Sequence, residues 1–219
     1  TGRTTWSRSC GPECIRALIE AGRAGIPVFL DSGAFSEVKF QPRRVVAEIT
    51  DPMWKERFEV YRQLADALGP LANVVAPDKV GFQEESFERL ERFAPELREL
   101  IESGATLLVP LQKGNLTLAE AHRMAASILG TQQWVPAIPF KNATATPEEL
   151  EEYLSLVRPT RVHLLGVGPR SSVAPQIAQA VRRGSPQTQV QMDSVVLTAH
   201  TARKGGVRRI TAAQDAARE

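Results

Sequence analysis

The chain is poor in sulfur and in histidine, with two cysteines, three methionines and three histidines in 219 residues. Cys10 and Cys14 lie four apart in a helix-like stretch, so a disulfide framework is not expected, and reduced thiols in a cytoplasm fit better. Two cysteines alone cannot close a structural zinc site. Long apolar runs are also missing, which excludes a membrane-spanning helix. Charge of one sign is missing as well: 27 basic against 25 acidic residues give a net charge of +2. No global basic field announces nucleic acid, and no acidic block announces a tail. No secretory leader is legible. The chain begins at Thr1 and not at methionine, which leaves the true N-terminus open.

What remains suits one α/β domain spanning residues 1–219, since the length and a 42% hydrophobic content allow a single sizeable core. Short apolar runs alternate with amphipathic stretches. The runs are VFL at 28, NVVAP at 73, TLLVPLQ at 106, WVPAIP at 134, RVHLLGV at 161 and QVQMDSVV at 189. They do not alternate apolar with polar, as befits strands covered on both faces. Helical patterns run from Pro52 to Leu68, Ser86 to Ile101, Thr117 to Leu129, from Thr146-Pro147 onward, and from Val173 to Arg183. Thr117 with Glu120 predicts a capping box, and Pro147 suits a first helical position. The alternation predicts βα units and a parallel sheet.

Six runs fit a doubly wound sheet, whereas a (β/α)8 barrel needs two more. The strand ends favour the barrel. Asp31, Asp78, Gln112, Ile138-Pro139, Gly166-Val167-Gly168 and Asp193 each lie at or near the C-terminal end of a run. Barrel sites collect residues from that rim, strand by strand, while an open sheet gathers them at one switch point. The expected fold is therefore a TIM-type barrel, incomplete or degenerate at the termini.

Two of these residues raise a chemical question. Asp31 ends the apolar run Val28-Phe29-Leu30, and Asp193 interrupts the apolar run around Met192 and Val195. A turn aspartate after a strand is common. A carboxylate inside a strand needs partners or a function. Two carboxylates on one rim can divide glycosyl chemistry, one attacking the anomeric carbon and the other handling the proton.

The segments FLDSGAFS, VPLQKG, RVHLLGVGPRSSVAPQIAQAV and MDSVVLTAHTARKGG resemble, in this order, motifs of the tRNA-guanine transglycosylase superfamily. The spacing and the wording APDKVG look closest to the branch that places 7-deazaguanines in DNA. The resemblance runs from about Ile26 to Gly206. It implies a (β/α)8 barrel and exchange of guanine in a polynucleotide for a 7-deazaguanine through a covalent aspartyl-glycosyl intermediate. By this likeness Asp193 is the nucleophile and Asp31 the general acid/base. Asp78 and Gln112 read the base, with Ser32, Gly33, Ile138, Gly166 and Gly168 as further substrate contacts. Arg203, Lys204, Arg208 and Arg209 form a basic cluster suited to backbone phosphates. The implied partners are nucleic acid (DNA before tRNA), the 7-deazaguanine, and a second copy or companion proteins of a DNA-modification system. No cofactor and no metal are implied.

The sequence departs from the family pattern in three ways. The family's cysteine-rich zinc motif has no counterpart. Ala34 stands where the second glycine of DSGGF is expected, and VPAIPF replaces a Gly-rich strand. These departures weaken a tRNA substrate more than they weaken the chemistry. Two other readings stay open: a non-catalytic relative that binds nucleic acid or a partner, and an unrelated barrel enzyme holding phosphate at Gly166-Val167-Gly168. His163 is expected to be a hydrogen-bonded core histidine, and His122 a solvated one. His200, and Trp6 with Arg3 and Arg8, are not placed by pattern.

Overall fold

A computed structural model describes residues 2–4, 11–37, 48–140, 144–168 and 171–192. Strands and helices alternate through them. The order is β1 (Gly2–Thr4), α1 (Pro12–Arg23), β2 (Val28–Leu30), α2 (Asp51–Leu68), β3 (Ala72–Val75), α3 (Gln83–Arg92) and α4 (Ala94–Glu102). It continues with β4 (Thr106–Pro110), α5 (Leu118–Leu129), β5 (Val135–Pro139), α6 (Pro147–Val157), β6 (Arg161–Leu165), α7 (Ala174–Gly184) and β7 (Gln189–Met192). All six anticipated strands are present. A seventh, β1, lies in the N-terminal tail, where a hidden first strand was expected.

The sheet is parallel throughout and its spatial order is its sequence order, β1 to β7. Such an order follows from consecutive βα units that each step one strand along. A doubly wound sheet would reverse direction at a switch point. Strands β2 to β7 curl into a half-barrel, with β1 paired to the free side of β2. The architecture is thus a partial (β/α) barrel, and no pairing of β7 with β1 closes it among the described residues.

Strand residues point alternately to two cores. Val74, Leu107, Ile138 and Leu164 join the layer between sheet and helices, with Trp54, Phe58, Leu97 and Tyr153. Their neighbours Val75, Leu108 and Ala137 face the concave side, with Val135, Phe29 and Leu165. Burial on both faces is why the strand sequences are apolar without alternation.

The helix starts follow their caps. Thr117 and Glu120 form the anticipated capping box of α5, and Thr146 and Glu149 form another at α6. The single helix expected from Ser86 to Ile101 is instead two. It breaks at Phe93 because Pro95, in the first turn of α4, supplies no N–H and disfavours helical backbone just before it.

Candidate functional site

Because all strands are parallel, the segments after β2, β3 and β4 emerge at one rim. Three of the anticipated residues meet there. The Ser32 hydroxyl donates to Oδ1 of Asp78 at 2.8 Å. The Gln112 side-chain amide donates to the other carboxylate oxygen, Oδ2, also at 2.8 Å. Gln112 Oε1 in turn accepts from the Gly81 backbone at 3.0 Å, which fixes which end of the amide faces the carboxylate. Ser32, Asp78 and Gln112 are all buried.

Asp31 is half-buried beside this cluster and folds its own turn, accepting from the Gly33 N–H at 3.0 Å. Gly33 has φ of +76°, where a side chain is strained. A Cβ at that position would also lie 3.3 Å from Nη2 of Arg57. Glycine is required twice over, by conformation and by space.

Burial pushes the Asp78 carboxyl up to about 7. The negative charge of Asp31 acts in the same direction, while the Ser32 and Gln112 hydrogen bonds and Arg89 oppose it. Asp78 therefore exchanges a proton near neutrality while remaining in fixed hydrogen-bond geometry. Tyr61, fully buried under the site, donates to the Val75 carbonyl at 3.1 Å. Burial holds its phenol well above the ordinary range, so it stays a donor.

Two buried arginines hold the loops that carry these groups. Arg57 of α2 donates to the Ser32 carbonyl at 2.6 Å, and Arg89 of α3 donates to the Asp78 carbonyl at 2.5 Å. Arg89 also binds Glu37 through both terminal nitrogens, at 2.7 and 3.0 Å. Both guanidinium groups lie over the Trp54 ring, 4.6 and 5.7 Å from its centroid. Both guanidinium groups thus share one aromatic neighbour, and each donates to the backbone of a site loop. The loop after β4 is pinned separately, by Gln83 donating to the Gln112 carbonyl at 2.8 Å and accepting from Leu116 N at 2.8 Å. Gly114 permits that approach, since a Cβ there would meet Gln83 at 2.4 Å.

Sequence reasoning missed Arg57, Arg89, Glu37, Tyr61 and Gln83. The arginines left a signal. Arg57 falls in the buried stripe Trp54, Phe58, Tyr61 and Ala65 of α2, and Arg89 sits beside buried Ser86 and Leu90 on α3. An arginine on the apolar face of a helix needs a buried acceptor.

Other anticipated residues lie elsewhere. The Ile138 side chain points into the sheet–helix core, so only its backbone is available at the rim. Gly166, at φ +74°, is exposed, and α7 begins only at Ala174. The Gly166 to Gly168 backbone is thus not the first turn of that helix. Asp193, Arg203, Lys204, Arg208 and Arg209 lie outside the described residues, as do His200, Trp6 and Arg8; Arg3 falls in β1. His122 is half-buried where a solvated residue was expected, with Nδ1 2.9 Å from the Tyr153 hydroxyl and its ring against Trp134. His163 is buried as expected, but neither ring nitrogen makes a hydrogen bond.

A cavity of about 230 Å³ opens beside the rim between α5 and α6 and shares Gln112 and Pro139 with it. Of its charged wall residues, Lys113 and Glu149 are paired at 2.9 Å and Glu152 stands beside them, and neither Asp31 nor Asp78 lines it. No cluster of three or more metal-ligating side chains occurs among the described residues, nor does any helix long and apolar enough to cross a membrane.

Two carboxylates, an amide and a hydroxyl at one rim make a patch that accepts hydrogen bonds from a ligand's N–H groups. Each Asp78 oxygen holds one internal donor and keeps capacity for another, and the Gln112 amide retains a second N–H. No protein-family model and no curated protein matches the chain.

Proposed function

We propose that the chain is a guanine transglycosylase. It exchanges guanine in a polynucleotide, DNA before tRNA, for a 7-deazaguanine, on a completed (β/α)8 barrel in the cytoplasm. The observation that carries this reading is the convergence of Ser32, Asp78 and Gln112, drawn from three successive strand ends and bonded to one another beside Asp31. Guanine presents an N1–H and an exocyclic amine on one edge, and a carboxylate satisfies both. The Gln112 amide can donate to O6. Adenine reverses this donor–acceptor pattern and would leave buried groups unpaired, which is how such a pocket rejects it.

In the proposed reaction the Asp193 carboxylate attacks C1′ of the target nucleotide. The bond from C1′ to N9 breaks, its electron pair leaves on the base, and Asp31 delivers the proton that N9 takes up. The incoming 7-deazaguanine then loses its N9 proton to Asp31. Its nitrogen attacks C1′ and releases Asp193, so two inversions give retention. Asp193 is the residue after Met192, at which β7 ends. Arg203, Lys204, Arg208 and Arg209 are the proposed contacts to backbone phosphate.

The test is incubation of the full chain with labelled guanine and separate samples of DNA, tRNA and free nucleosides. Label should enter DNA, and Asp78→Asn or Gln112→Ala should prevent it. Label entering none of the three would overturn the proposal.

A further inference from the structure

The concave face of the half-barrel is apolar over Phe29, Val75, Leu108, Val135, Ala137 and Leu165. His163, at the centre of β6, breaks the pattern. It is 4% exposed and its ring stacks on Phe29, with centroids 4.9 Å apart and 18° between the planes. The stack fixes the ring and leaves its edge for polar contact. That edge has no hydrogen-bond partner at either Nδ1 or Nε2. The residues at its register on the flanking strands are Ala137 and Gln191. Ala137 offers no polar side chain. Gln191 stands close enough to favour the protonated ring but closes no hydrogen bond of good geometry.

Burial pushes the imidazole down to about 4, with Gln191 and the Asp31 charge opposing. At neutral pH the ring is uncharged and carries one N–H donor and one bare nitrogen acceptor. Buried polar atoms are nearly always paired, and an apolar side chain here would avoid the cost of leaving two unmade. A neutral ring near a carboxylate does not suit an anion, which excludes phosphate as the missing partner. Phe29, on which the ring stacks, lies two residues before Asp31, so His163 sits on the concave side one layer beneath the rim site.

We infer that His163 is a ligand-contacting residue of that site, its ring edge bonding an uncharged polar group that projects from the bound base past Asp31 into the concave face. The inference rests on the base-exchange reading. In that reading the group is the one that distinguishes the incoming base from guanine, a hydrogen-bonding substituent on the 7-deazapurine ring.

The experiment is calorimetric titration of the full chain, wild type, His163→Leu and His163→Gln, with guanine and with 7-deazaguanine bearing a carboxamide at C7. His163→Leu should weaken the carboxamide compound about tenfold and leave guanine within about twofold. His163→Gln, which keeps a donor and an acceptor, should recover most of the loss. Thermal unfolding of the ligand-free His163→Leu protein should occur at the same temperature as wild type or higher, since an unpaired polar group is removed. In wild type, the imidazole ¹⁵N resonances of His163 should shift on adding the carboxamide compound, a readout that stands even if a variant fails to fold. Wild-type binding of both bases with no ¹⁵N shift, or with equal affinities in His163→Leu, would overturn the inference and leave the base-exchange reading intact. Equal weakening of both bases would overturn the assignment to the substituent. Failure of either base to bind wild type would overturn the inference together with the reading beneath it.

Discussion

Replacing Asp78 by asparagine should change how stability depends on pH, in a direction fixed by the buried carboxyl. Its pKa is raised from 3.8 to about 7, chiefly by burial. Between these values the unfolded chain has released the proton and the folded chain still holds it. Stability contributed by this group is therefore fully present below the unfolded value, and falls as pH rises until it is lost above about 7. One proton of difference corresponds to roughly 1.4 kcal/mol per pH unit, which accumulates to roughly 4 kcal/mol over the window. Asparagine carries no titrating proton. It can also keep both contacts, its Oδ1 accepting from Gln112 and its amide donating to Ser32, whose hydroxyl oxygen already accepts from Ala34 N at 3.2 Å. Urea unfolding of both proteins from about pH 4 to about pH 8 isolates the effect, since other titrating groups cancel in the difference. Wild type should lose up to roughly 4 kcal/mol relative to Asp78→Asn as pH rises. A difference that stays flat, or that grows in favour of wild type with rising pH, would refute the burial argument.

The same proton governs binding: if ionised Asp78 accepts guanine's N–H groups, calorimetric affinity for guanine should rise with pH and level off above about 7. Affinity falling through that range would contradict the assignment. Glu37→Ala leaves the Arg89 guanidinium, whose side chain is 9% exposed, with the Asp78 carbonyl and, as its remaining carboxylate, the exposed Glu48 at 3.4 Å. Denaturant unfolding should show a loss of roughly 3–5 kcal/mol, and a loss under about 1 kcal/mol would mean that Glu48 replaces the partner. Gly33→Ala forces a side chain to φ +76° against Arg57, so thermal unfolding should report a loss of about 1–2 kcal/mol, whereas an unchanged midpoint would remove the steric case for this glycine.

The fold was legible where one signal sufficed. Strand positions followed from short apolar runs, the start of α5 from its Thr-x-x-Glu box, and the start of α6 from Pro147 at the first helical position. The break at Phe93 was written in Pro95, but an amphipathic pattern continuing on both sides masked it. Asp78 and Gln112 were legible as strand-end polar residues, yet their direct bond was not, because it joins residues 34 apart in sequence. The supports were harder still. Arg57 and Arg89 bind backbone carbonyls, which carry no residue-specific signature, and Glu37 reaches Arg89 across 52 residues. His163 was read as a bonded core residue because burial is predictable from an apolar strand, whereas the absence of a partner depends on Ala137 and Gln191 in the adjacent strands.

The proposed covalent glycosyl-aspartate at Asp193 is tested most directly by trapping the adduct with DNA and resolving it by denaturing mass spectrometry. Wild type, Asp31→Asn and Asp193→Asn would be run side by side in the presence of guanine. The account predicts a DNA-sized adduct on the peptide containing Asp193 in wild type, its complete loss in Asp193→Asn, and a surviving adduct with slowed exchange, by ~10²–10⁴-fold, in Asp31→Asn. An adduct that survives Asp193→Asn and vanishes in Asp31→Asn would contradict the assignment of roles. Exchange in wild type with no adduct at all would contradict the covalent mechanism.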